Sequence, residues 1–88
     1  MKTIKLDISN IQTVKALHIY LAYMLELPAH YGRNLDALHD VLGEMDEPLR
    51  IELAGAACSD EMRAYQPQLE RVFSDSGQEN GRLAFARV

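Results

Sequence analysis

The strongest constraint on this chain is that its strand-like segments are separated by helix-like ones, never by a tight turn. Thr3-Ile4-Lys5-Leu6-Asp7-Ile8 strictly alternates polar and apolar residues, the two-residue period of a half-buried strand. Leu49-Arg50-Ile51-Glu52-Leu53 alternates again, and Leu83-Ala84-Phe85-Ala86 gives a third strand near the C-terminus. Antiparallel strands can be joined by two residues, but parallel strands need a long crossover, usually a helix. Parallel pairing is therefore expected. A parallel sheet covered on both faces reads as continuous apolar runs. Here Lys5, Asp7, Arg50 and Glu52 fall on one face of the first two strands. The expected fold is α/β and two-layered: a three-stranded parallel sheet with helices mainly on one face. With 88 residues there is room for one core, so residues 1–88 are expected to form a single domain.

The helical stretches carry their own punctuation. Thr13 is a candidate N-cap for a helix whose inner stripe is Val14, Leu17, Leu21, Met24 and Leu25, and Pro28 fits its end. Asn34 is a second N-cap, followed by Leu35, Leu38, Val41 and Leu42 at helical spacing, with Gly43 at the end. Ser59 caps a short helix through Arg63, and Tyr65, Leu69, Val72 and Phe73 share a face of a longer one. Ser74-Asp75-Ser76-Gly77 is poor helix material, and the helix is expected to fray or stop there.

Composition narrows the function classes. Thirteen acidic residues against nine basic ones leave a net charge of −4. Phosphate contacts come mainly from Lys and Arg, so direct nucleic-acid binding is disfavoured. A basic protein partner suits this balance, although mild acidity also serves solubility alone. The single cysteine, Cys58, rules out an internal disulfide and reads as packed or incidental rather than reactive. The first residues lack the apolar run of a signal peptide, and no stretch reaches the roughly 18 apolar residues of a membrane helix. A soluble, cytoplasmic protein with no membrane partner is expected.

One face stands out. Asp36, His39 and Asp40 lie off the apolar stripe of the second helix, and their spacings of three and four place them side by side. The helix dipole favours Asp36 in the first turn. Asp40 has no such support, and carboxylates at i and i+4 repel by a few tenths of a kcal/mol. Three readings stay open on pattern alone: a solvated helix face, a metal site, or a docking face for a cationic partner. A metal site lacks a second ligand cluster. Catalysis finds no phosphate loop, nucleophile elbow or metal motif, so no enzyme, cofactor or metal is expected. His18, among apolar neighbours, reads as a packed or surface histidine, and His30 as an exposed loop residue.

The segment Leu27-Pro-Ala-His-Tyr-Gly-Arg-Asn-Leu-Asp-Ala-Leu-His-Asp-Val-Leu42 closely resembles the signature of the barstar family, intracellular inhibitors of the ribonuclease barnase. Chain length and element order agree with that family across the whole chain. The resemblance implies a barstar-like fold and a proteinaceous inhibitor, or antitoxin, that forms a one-to-one complex with a basic barnase-like endoribonuclease. Its second helix and the loop before it would block the active site. By the same resemblance, Asp36 and Asp40 meet the enzyme's cationic groups, with Asp40 where the substrate phosphate belongs. Gly32, Asn34, Leu35, Ala37 and Leu38 would form the framework and rim, joined by Tyr31. Asp75 and Glu79 fall near the family's acidic contacts in the last helix.

Departures from the family pattern are His30 for a loop tyrosine, His39 for a tryptophan, and Met45 near the place of a second tryptophan. They bear on which nuclease is bound, since rim aromatics supply packing area. The alternative is an immunity or regulatory module that turns the same face to a different toxin or nuclease. If His30 and His39 both lie in the interface, protonation would offset part of the acidic charge and alter affinity.

Overall fold

Strand β1 (Lys2–Asp7) leads into helices α1 (Val14–Met24) and α2 (Leu35–Gly43); β2 (Leu49–Ala54), α3 (Asp60–Glu79) and β3 (Leu83–Arg87) follow. The structure, a computed structural model, describes residues 1–88. β2 lies in the middle of the sheet and pairs in parallel with both neighbours. Ile4 faces Ile51 across the first pair, and Ile51 faces Phe85 across the second. This register puts Leu6, Leu49, Ile51, Leu53 and Leu83 into one core with the helices. Lys5 and Asp7 on the opposite face stay exposed, and Arg50 and Glu52 are half-buried there and paired to each other at 3.0 Å. The two-layer α/β expectation is met.

Leu17, Leu21, Leu38, Leu42, Met62, Leu69 and Phe73 supply the helical half of the core, all fully buried. Burying each such side chain contributes roughly 1.5–3 kcal/mol. The three anticipated N-caps are in place: Thr13 accepts from Ala16 N–H, Asn34 from Ala37 N–H and Ser59 from Met62 N–H. The starts of α1 and α3 are also tied together. Ser59 Oγ donates to the Gln12 carbonyl at 2.6 Å, and Glu61 accepts from Val14 N–H at 2.5 Å. Cys58 is exposed, with its thiol on the Ile11 carbonyl at 3.2 Å.

The C-terminal helix corrects the expectation of a break. α3 is continuous over 20 residues, runs through Pro67, and keeps Ser74 to Gly77 helical. Tertiary contacts override weak propensity here. Phe73 stacks on Phe85 with ring centroids 5.3 Å apart, and Ser76 one turn on is buried. At Gly77 a Cβ would come within 3.3 Å of the Leu83 carbonyl, so the missing side chain lets the helix end approach β3. Asn80 then stops the helix and donates through Nδ2 to the carbonyls of Leu42 and Met45. That side chain fastens the end of α3 to the end of α2.

Gly55, just after β2, has φ +84, and a Cβ there would lie 2.5 Å from Asp7 Oδ1. It lets the ends of β1 and β2 meet where Asp7 accepts from both the amide and the hydroxyl of Ser9. Those bonds hold the Asp7 carboxyl below its ordinary pKa. No helix is long and apolar enough to cross a membrane.

Candidate functional site

The loop between α1 and α2 has a left-handed residue near each end: Glu26 at φ 52 and Arg33 at φ 56. Neither is glycine, so each conformation is held against a cost of about 1–2 kcal/mol by its surroundings. Within the loop, Tyr31 N–H closes on the Pro28 carbonyl at 3.0 Å, and Asn34 Nδ2 donates to the Gly32 carbonyl at 3.2 Å. Asn34 Oδ1 caps α2 through Ala37 N–H at 2.8 Å, so one side chain joins the end of the loop to the first turn of the helix.

On α2 the side chains divide sharply. Leu38 and Leu42 point inward and are fully buried, with Leu35, Ala37 and Val41 partly covered. Asp36 and Asp40 are exposed, and neither carboxylate forms an ion pair or accepts a hydrogen bond within the chain. Glu44, which caps the helix end, continues the line one turn beyond Asp40. Asp40 and Glu44 line an open cleft of about 340 Å³ whose other wall is His30, Tyr31 and Gly32 of the loop. A cluster of carboxylates without internal cations can receive several donors from a cationic partner.

His39 faces α3, where its Nε2 meets Glu79 Oε2 at 2.5 Å. The pair joins the two helices at a partly exposed position. Asp75, one turn earlier on α3, is exposed. The structure therefore brings Asp36, His39, Asp40 and Glu79 onto adjoining surfaces, with His30 exposed beside Asp40.

Three expected contacts stand differently. Leu38 has no accessible surface and shapes the face only from beneath, because it completes the inner stripe with Leu42. Tyr31 is 7 % exposed: its hydroxyl meets His18 Nδ1 at 2.6 Å inside the molecule, and only the remainder of the side chain contributes to the cleft wall. Met45 is half-buried and lines a separate cleft of about 200 Å³ with Ile4, Leu25 and Pro48. Glu44 is a further acid beside Asp40, and its i+4 spacing is the only signal of this in the sequence. No group of three or more His, Cys, Asp or Glu side chains gathers in a metal-holding arrangement.

Under the loop, His18 is 1 % exposed, with Tyr65 hydroxyl at 2.8 Å from Nε2 on its other side. Burial holds the His18 pKa below its ordinary value and pushes both tyrosines up, Tyr31 also through its neighbour Tyr65.

A family model described as Barstar (barnase inhibitor) matches residues 1–86. The chain belongs to the barstar family. This family consists of inhibitors rather than enzymes, and its three-stranded parallel α/β fold is the one described above. The Bacillus subtilis (strain 168) protein named "Putative ribonuclease inhibitor YrdF" is 43% identical over 54 residues, 60% of this chain. The match spans 59% of the length of that relative.

Proposed function

We propose that this barstar-family chain inhibits a basic endoribonuclease by a one-to-one complex in which α2 and the preceding loop fill the active site. The observation that carries this reading is the unpaired Asp36–Asp40 pair on an exposed, well-anchored helix. A ribonuclease site is built to receive a phosphodiester, so it presents cations and N–H donors to an anion. Asp40, at the mouth of the cleft, offers carboxylate oxygens to such donors, and Asp36 adds a second charge one turn away. Repulsion between the two falls when cations pair with both. Acids on α3, Asp75 and Glu79, extend the negative field that speeds encounter. Action would be in the cytoplasm as an antitoxin, and the exposed lone thiol suits a reducing compartment.

A second reading is favoured by one observation. His39 is engaged with Glu79 and, together with His30, stands where the family pattern has rim aromatics. This rim differs enough in area and charge to select a nuclease or toxin other than barnase, met by the same face.

The test is RNA cleavage by barnase and a panel of basic barnase-like ribonucleases, with the native chain and with Asp40→Ala. Inhibition by the native chain that the variant loses is the expected result. A folded native chain that inhibits none of them would sink the ribonuclease reading.

A further inference from the structure

Tyr31, His18 and Tyr65 form a buried chain of hydrogen bonds linking the loop, α1 and α3. Its donor order follows from the surroundings. A neutral imidazole has one N–H and one lone pair, so one tyrosine must donate to it and the other accept. Tyr31 is buried, and His18 Nδ1 is the only partner of its hydroxyl. Tyr31 therefore donates to Nδ1, which leaves the proton on Nε2 to be donated to the Tyr65 oxygen. Tyr65 is half-buried and can give its own proton to water.

Resting on the inhibitor reading above, we propose that this Tyr31–His18–Tyr65 relay is a positioning device that holds the loop His30–Arg33 against α2 in its docking-ready form. None of its hydroxyl or ring-nitrogen bonds is offered to the partner. Two further observations agree. The loop's left-handed residues, Glu26 and Arg33, persist only if something fixes the segment between them, and Tyr31 is the loop's one buried side chain after Leu25. The cleft wall opposite Asp40 is made of His30, Tyr31 and Gly32, so releasing Tyr31 would open the cleft itself.

Breaking the relay at its far end isolates this role. In Tyr65→Phe the ring packing stays, but one buried polar group of the relay must lose its partner in either imidazole tautomer. Tyr65 does not line the cleft. Amide exchange of the free full-length chain reads the effect directly. The Tyr31 amide should lose nearly all of its protection, while the core amides of Ile51 and Leu69 stay protected and accelerate by no more than the variant's loss of unfolding free energy in urea accounts for. Equal acceleration at all three would make the relay a general stability element, and no change at Tyr31 would leave it without a role in the loop; either overturns the proposal.

Inhibition of barnase is measured alongside. If the docking-ready loop falls to about a tenth of the population, the inhibition constant rises about tenfold. A loosened loop with an unchanged inhibition constant also overturns the proposal. If the native chain fails to inhibit barnase, the same constant is read on whichever ribonuclease of the panel it does inhibit. Should it inhibit none, the inhibitor reading fails and takes the docking role with it, while the Tyr31 exchange still decides whether the relay holds the loop.

Discussion

On α2, Asp36 and Asp40 carry like charges one turn apart and neither is paired, whereas beneath them His18 has both ring nitrogens engaged. Solvent explains how both arrangements persist. An exposed carboxylate is satisfied by water, so leaving it unpaired costs the fold only its repulsion from the next one. A buried imidazole has no water to turn to, and each unsatisfied nitrogen would cost about 1–3 kcal/mol. Polar groups at the surface are thus free to be reserved for a partner. Those inside are committed to the protein's own shape. Substitutions in the two regions should accordingly fail in different assays.

The largest effect is expected from Asp40→Ala. Removing it leaves a partner's cations buried and unpaired, a loss of about 3–5 kcal/mol, or at least a hundredfold in the inhibition constant. The urea midpoint should hold or rise slightly as the repulsion from Asp36 disappears. A fall in the midpoint as large as the loss in binding would erase the contrast between the regions. Leu38→Ala, two residues from Asp36 and Asp40 alike but facing inward, should do the reverse. It should lower unfolding free energy by roughly 2–5 kcal/mol in urea titration.

Tyr31→Phe keeps the ring and removes the donor to His18 Nδ1. About 1–3 kcal/mol of stability should go, measured by the same titration. Acidification probes that network without mutation. Burial holds the His18 pKa below 6.5, so as pH falls the unfolded chain takes up this proton before the native one. Its share of stability is complete above about pH 6.5, declines as pH falls below that, and is lost once pH passes through the depressed native value. Urea midpoints between pH 7.5 and 5 should fall, and less steeply in His18→Gln; an identical slope would remove His18 from the account. His39→Gln is the mildest change. The His39–Glu79 pair is partly exposed, with side chains 41% and 61% accessible, and losing it should cost at most about 1 kcal/mol of stability. Its binding effect is read by comparing the inhibition constants of His39→Gln and the native chain, where equal values would discard a His39 role in docking.

Much of this was legible in the sequence because it follows from local rules. Period-two strands, helical stripes and the caps Thr13, Asn34 and Ser59 depend on nearest neighbours, and all are where pattern places them. The exposure of Asp36 and Asp40 follows from the same stripe. What escaped depends on residues far apart in the chain. Ser74–Gly77 reads as a helix end until Phe85 and Leu83 are brought against it. Tyr31 reads as a rim aromatic until His18 claims its hydroxyl from 13 positions away. Glu79 finds His39 across 40 positions. Periodicity carries no information on such pairings, although His18, three residues before Leu21, did sit at a core-facing spacing.

The sheet has one bare face, carrying Lys5, Asp7, Arg50 and Glu52, with every helix on the other side. In practical terms the molecule has a back. A fluorophore, a tether or a sensor surface attached there would sit a full layer away from the acidic helix. A reporter built on this scaffold could therefore be immobilised through its sheet with α2 left free.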